Sequence, residues 1–215
     1  MSRFEEMRCV VLASGSPRRR ELLGQLIDSF EIIVSGVPEP VLAGLTPEAN
    51  LLENARTKAA AVVPLAGGCV VLAADTDVIL DGEILGKPAD SEGAIAMLRR
   101  LRAREHAVLT ALVVIDAVTK CRWERVVRSE VCIHPLTDTE IERYVATGEP
   151  LDKAGGYAIQ GEAASMVASV EGCYTNVVGL PLCVTKEVLL QAGVAIRDDV
   201  RCEDPSGRSC PNSSR

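Results

Sequence analysis

Apolar and polar positions along this chain alternate with a period near two in some stretches and near three and a half in others, which predicts strands interleaved with helices. Arg8–Ala13 is a short apolar run that reads as a strand. Ser16 can then cap a helix, Pro17 suits its first position, and Leu22, Leu23 and Leu26 form its buried stripe. Phe30–Ser35 predicts a second strand, followed by a Pro-containing loop that holds Glu39. Pro47–Val63 reads as an amphipathic helix capped by Thr46, with Leu51, Leu52, Ala55, Ala59 and Val62 on one side. Cys69–Ala74 is a buried strand ending at DTDVIL, and the Asp81-Gly82 pair predicts a tight hairpin between Val78–Leu80 and Glu83–Leu85. Ser91 is the expected cap of a helix running through Arg102. His106–Asp116 and Trp123–His134 predict two long strands joined through a turn near Thr119. TDTE, Thr137 to Glu140, fits a capping box opening a helix to about Ala146. GEPLDKAGGYAIQG, residues 148–161, is too rich in turn residues for regular structure, and Met166–Val170 and Pro181–Gln191 complete the order as strand and helix. The pattern predicts an α/β fold with a mixed β-sheet flanked by helices. One domain over residues 1–200 and a frayed tail over 201–215, rich in Ser, Pro, Asn and charge, are expected.

Composition narrows the functional classes. Of the 215 residues 47% are hydrophobic but only 3% aromatic, so Val, Leu, Ile and Ala must build the core. Few aromatics are left to stack nucleic-acid bases, and a formal charge of −7 supplies no basic field for a polyanion. No nucleic-acid partner is expected. The chain shows no apolar run of membrane-spanning length and no secretory signal before the first strand, so no membrane partner is expected either. The eight cysteines form no CxxC pair, and most sit in apolar runs as small hydrophobes. That pattern reads as a reducing, intracellular compartment.

Three arginines at a helix start raise the first chemical question. A helix N-terminus favours negative charge, yet Arg18, Arg19 and Arg20 stand there. Either they are solvated, or the Ser14-Gly15-Ser16 turn and free helix N–H groups form an anion site with one or two of them. Helical spacing sends the three in different directions, so not all can reach one ligand. Asp75, expected just past a strand end, can hold a divalent cation, take a proton from water, or simply cap a turn. Asp77 is left outside the site. Lys58 in a mostly apolar helix, Lys87 in LGKP and the loop acid Glu39 are candidates of the same kind, Glu39 as a metal ligand only if the fold carries it toward Asp75. Asp152, Lys153 and Gln160 lie among Gly155, Gly156 and Gly161, and an amide such as Gln160 can read a nucleobase edge. His106 and His134 read as structural. The combination points to metal-assisted chemistry on a phosphorylated small molecule.

LASGSPRRRELL, ENARTKAA, AADTDVILDGEILGKP, HAVLT, GEPLDKAGGYAIQG and NVVGLPL occur here in the order found in the Maf family, which the chain resembles from about Cys9 to Ala192. The resemblance implies a fold of two lobes around a central cleft, related to inosine triphosphate pyrophosphatases. It also implies a homodimer in the cytoplasm and a nucleoside triphosphate pyrophosphatase that cleanses the nucleotide pool. Ser14 and Arg18 match the family's SxxxR phosphate signature. Glu39, Lys58, Asp75 and Lys87 match its catalytic set, with Asp75 as proton acceptor and Asp75 and Glu39 holding Mg²⁺ or Mn²⁺. Arg19, Thr76 and Gln160 match the trio of the branch acting on dTTP and UTP. Rival readings are a pyrophosphatase for 7-methyl-GTP or modified nucleotides, and a nucleotide-binding regulator of cell division without turnover. Asp77, where the family usually has an apolar residue, and LRAREH, in place of its usual Leu-Ser-Gly stretch, depart from the pattern and leave hairpin packing open.

Overall fold

The computed structural model describes residues 8–197 and 199–211. Its strands are β1 (Val10–Leu12), β2 (Glu31–Ile32), β3 (Val70–Leu80), β4 (Glu83–Ile84), β5 (Glu105–Asp116), β6 (Arg122–Ile133) and β7 (Val167–Glu171). The helices are α1 (Pro17–Leu26), α2 (Pro47–Val62), α3 (Ser91–Leu101), α4 (Asp138–Val145), α5 (Tyr174–Val178) and α6 (Leu182–Gln191). The strands form one mixed sheet in the order β2-β1-β3-β5-β6-β7, with β4 added beside β3. β1 runs parallel to β2 and β3, and every other pairing is antiparallel.

Alternation along β3 sorts the layers. Val71, Ala73 and Ile79 pack with Leu51, Ala55 and Ala59 of α2 on one face. On the other face Leu72 joins Leu23 of α1 and Leu189 of α6, whereas Val78 and Leu80 join Leu98 of α3 and Ile141 of α4. One sheet face therefore carries two apolar clusters, one at each end of the long strands. These are the two lobes.

Local chemistry fixes the ends of these helices. Ser16 accepts a hydrogen bond from the Arg19 amide and Thr46 from that of Ala49, each with Pro at the following position. Thr137 and Glu140 close the expected capping box. Asp90, rather than Ser91, caps α3, accepting from the Gly93 amide at 2.8 Å. Both are good caps and they are adjacent, so sequence could not separate them.

Three expectations are corrected. The strand beginning near Cys69 does not stop at Ala74 but continues unbroken to Leu80, because β5 pairs it from Val70 to Ile79. Cys9 and Cys69 form a disulfide rather than serving as separate hydrophobes. Parallel pairing of Val10 with Val70 sets these two residues side by side. Finally, residues 201–211 are not a frayed tail: they dock on the lobe of α1 and α6, with Cys202 and Cys210 buried in that cluster. Residues 212–215 of the expected tail lie outside the described residues.

Candidate active site

The site exists because β1 is short. Its pairing with β3 ends at Leu72, and the next bond on that edge is the Ala13 amide to the Leu72 carbonyl. β4 meets β3 again only at Ile79. Between them, one edge of β3 is left without a strand partner, and a cleft of about 720 Å³ opens over it. Ser14, Arg18, Arg19, Glu39, Lys58, Asp75, Thr76, Lys87 and Gln160 all line this cleft. Every site residue expected from sequence is thus brought to one place. Arg20 is exposed and does not line it, as helical spacing required.

Asp75 sits in the middle of β3, not past its end, and points to the α2 face. There Asn54 and Lys58, one helical turn apart, take its two oxygens separately. Lys58 Nζ donates to Oδ1 at 2.6 Å and Asn54 Nδ2 to Oδ2 at 3.1 Å. Lys58 is 5% exposed and also meets Glu39 at 3.0 Å. Glu39 arrives there because its loop is pinned: Asn50 accepts from the Leu42 amide, and Asn50 and Asn54 donate to the Pro40 carbonyl. Burial alone pushes the Asp75 carboxyl up, but the Lys58 charge and hydrogen bond, the Arg19 charge and the Asn54 amide bring it below its ordinary value. It is therefore ionised at neutral pH.

Thr76 faces the opposite side, toward α1 and α5. Its hydroxyl accepts from Arg19 Nη2 at 3.0 Å and lies 2.9 Å from the Thr110 hydroxyl. Arg19 is further held by the Gly179 carbonyl at 2.9 Å and by Ser14 Oγ at 3.3 Å. Its guanidinium keeps donors to spare, but its place is fixed. Arg18 and Lys87 differ: among the described residues neither has a carboxylate within ion-pairing distance, so their charge is available to a ligand. Five basic side chains line the cleft (Arg18, Arg19, Lys58, Lys87, Lys153) against four acidic ones, Glu39, Asp75, Glu149 and Asp152. In a chain of net charge −7 that is a local reversal of sign, suited to a polyanion.

The late loop lines the cleft with Asp152 at the end of one short 3₁₀ turn, Lys153 between that turn and the next, and Gln160 in the irregular stretch that follows. Gly155 in this loop does not make room for a ligand. Gly155 has φ +68° and its amide bonds the Gly86 carbonyl, and a Cβ there would come within 2.8 Å of Val78. The close approach is to β3 itself. Buried His106 bonds the Tyr157 hydroxyl at 2.6 Å, tying the same loop to β5, and lies outside the cleft lining, as a structural histidine should. Asp77 also acts structurally: one carboxylate oxygen accepts from the Val78 and Gly86 amides and so sets the loop that presents Lys87.

Asn54 and Thr110 are the contributors that sequence reading passed over. Asn54 did leave a signal, a polar residue one turn before Lys58 on an otherwise apolar face. Thr110 left none, because a lone Thr in a buried strand looks like any β-branched core residue.

A family model described as Maf-like protein matches residues 9–192. The chain is 48% identical over 187 residues to a Pelotomaculum thermopropionicum protein named dTTP/UTP pyrophosphatase, covering 87% of this chain and 98% of that one. A protein of the same name from Anaeromyxobacter dehalogenans strain 2CP-C is 50% identical over 186 residues, 86% of this chain and 94% of its own. The solved structure of a HAM1 protein from Coxiella burnetii superposes with a TM-score of 0.40 at 19% identity, over 60% of this chain and 75% of that one. Because the family match runs through every strand and helix that builds the cleft, the chain belongs to the Maf-like protein family.

Proposed function

We propose that this protein hydrolyses dTTP and UTP to the nucleoside monophosphate and pyrophosphate. The observation that carries the reading is the Lys58-bridged pair of carboxylates, Asp75 and Glu39, at the base of a cleft with basic walls. The names of the relatives supply the substrate class, dTTP and UTP.

In this reading Asp75 orients a water molecule and accepts its proton, while the water oxygen bonds to the α-phosphorus and the bond from that phosphorus to the α,β-bridging oxygen breaks. Asp75 is suited to this by being ionised, and Lys58 and Asn54 hold its carboxylate in one orientation. Arg18 and Lys87 neutralise the departing pyrophosphate, a contribution made by charges already in place before reaction. Ser14 and the Arg18 amide in the first turn of α1 bind phosphate oxygens. Arg19, clamped by Gly179, Ser14 and Thr76, and Gln160 across the cleft define the nucleoside end.

The carboxylates also fit a divalent cation. Glu39 and Asp75 both reach the Lys58 ammonium, so cationic charge is already stabilised between them, and two carboxylates plus substrate phosphates is the donor set Mg²⁺ or Mn²⁺ takes. Bound there, the ion would supply further charge neutralisation at the phosphates. A homodimer working on the cytoplasmic nucleotide pool belongs to the same proposal.

Hydrolysis in ¹⁸O-labelled water tests the bond that breaks. The label should enter the nucleoside monophosphate. Label in the pyrophosphate, or release of orthophosphate instead, contradicts the proposed attack.

A further inference from the structure

Cys173, Cys183, Cys202 and Cys210 come together from three separate parts of the chain. Cys173 immediately precedes α5, and Cys183 lies in the first turn of α6. Cys202 and Cys210 flank a small turn closed by the Glu203–Ser209 bridge and by the Cys210 amide donating to the Cys202 carbonyl at 2.8 Å. The sulfurs of Cys173, Cys202 and Cys210 all lie within 4.8 Å of one another, and all three residues are buried. The Cys183 side chain packs against the same cluster. We propose that Cys173, Cys202 and Cys210, with neighbouring Cys183 as the fourth ligand, form a structural site for a thiophilic, tetrahedral divalent cation of the zinc class, which fastens residues 201–211 to the lobe of α1 and α6.

The spacing suits metal ligands and excludes a disulfide between this pair. Cys173 and Cys202 are 3.7 Å apart. A disulfide requires about 2.05 Å, whereas two ligands of a tetrahedral zinc with bonds of about 2.3 Å stand roughly 3.8 Å apart. The surroundings suit thiolates as well. The Thr175 hydroxyl lies 3.1 Å from the Cys173 sulfur and 3.3 Å from that of Cys202. Such a hydroxyl donor stabilises sulfur that carries charge.

Energetics point the same way. Residues 201–215 contain no Val, Leu, Ile, Met or Phe, and between 201 and 211 only Cys202 and Cys210 are buried. Burying two thiols recovers far less than the conformational entropy lost by ordering a segment of about ten residues. Metal ligation closes that gap, with the thiol protons released to solvent as the ion binds. Cys202 and Cys210 also lie beyond Ala192, where the family match ends, so the site belongs to an addition made to the family fold. Its isolated spacing, with no CxxC pair, hid it from sequence.

The test uses the full chain and zinc itself. Protein purified under reducing conditions, supplied with Zn²⁺ and dialysed should retain about one zinc per chain, measured by elemental mass spectrometry. Replacement by Co²⁺ should give the thiolate charge-transfer and visible bands of a tetrahedral sulfur site. The Cys202→Ser/Cys210→Ser pair should lower zinc content at least tenfold and speed tryptic cleavage at Arg201 and Arg208, while Cys121→Ser, exposed and remote, should change neither. If the double variant does not fold, zinc content and the cobalt spectrum of the unaltered chain decide alone. Wild-type protein that holds no zinc, or whose four cysteines are found by mass spectrometry to be joined as disulfides, overturns the proposal.

Discussion

At the residue scale, the site depends on how buried charges compensate one another. Lys58 is the pivot, since it offsets the burial of Asp75 and draws Glu39 into the same cluster. Removing its charge in Lys58→Met leaves burial opposed only by Arg19 and Asn54, so the Asp75 carboxyl should titrate higher. The acid limb of kcat/KM should then move to higher pH, in addition to the loss of rate. A pH–rate profile with an unmoved limb would mean that Lys58 does not tune Asp75. Asp77 behaves oppositely. Burial pushes its carboxyl up to about 6, against the two amide bonds that favour its ionised form. Between the ordinary carboxylate range and about pH 6 the folded protein therefore holds a proton that the unfolded chain releases, and stability falls as pH rises through that window. Asp77→Asn keeps an oxygen to accept both amides and removes this loss. We expect it to be more stable than wild type at neutral pH by about 1–2 kcal/mol, with the difference vanishing in urea titrations near pH 4.

At the element scale, α2 and the late loop do the positioning. α2 was legible from local signals: the Thr46 cap, Pro47 and apolar spacing fix its start and buried face, and these depend on no distant partner. β3 was misread because Asp75, Thr76 and Asp77 interrupt its apolar run. The polar stretch looks like a turn, yet long pairing with β5 holds it extended, and two of those polar residues, Asp75 and Thr76, are the floor of the site. The late loop could be recognised as irregular, but not what its glycines meet. Gly155→Ala would place a methyl against Val78 and force a positive φ on a residue with a Cβ. Denaturant unfolding should show a loss of about 2 kcal/mol, whereas the same change at Gly36, where nothing lies within 4 Å, should carry only the backbone strain.

At the scale of the whole molecule, two covalent or near-covalent features lay beyond local pattern. The Cys9–Cys69 disulfide spans 60 residues of sequence, and only the parallel register of β1 and β3 brings its ends together. Closing so long a loop should contribute about 2–4 kcal/mol. Cys9→Ser should unfold at lower denaturant by that amount under oxidising conditions, and full reduction of both proteins should erase the difference. The cysteine cluster under the C-terminal segment was hidden for a similar reason, since its members come from three separated segments. The cleft was more legible, because its residues lie in motifs that survive being read one at a time, although their convergence on the open edge of β3 required the fold. Among the described residues no helix is long and apolar enough to cross a membrane. In the proposed function this basic-walled cleft, through Asp75, cleaves pyrimidine nucleoside triphosphates at the α-phosphorus. Its most direct test is pyrophosphate release from a panel of nucleoside triphosphates, with and without Mg²⁺ or Mn²⁺, for wild type and Asp75→Asn. The account predicts metal-dependent release from dTTP and UTP, with turnover lowered roughly 10²–10⁴-fold in the variant while nucleotide binding persists. Undiminished turnover in Asp75→Asn, or folded wild type that binds these nucleotides and releases nothing, would contradict it.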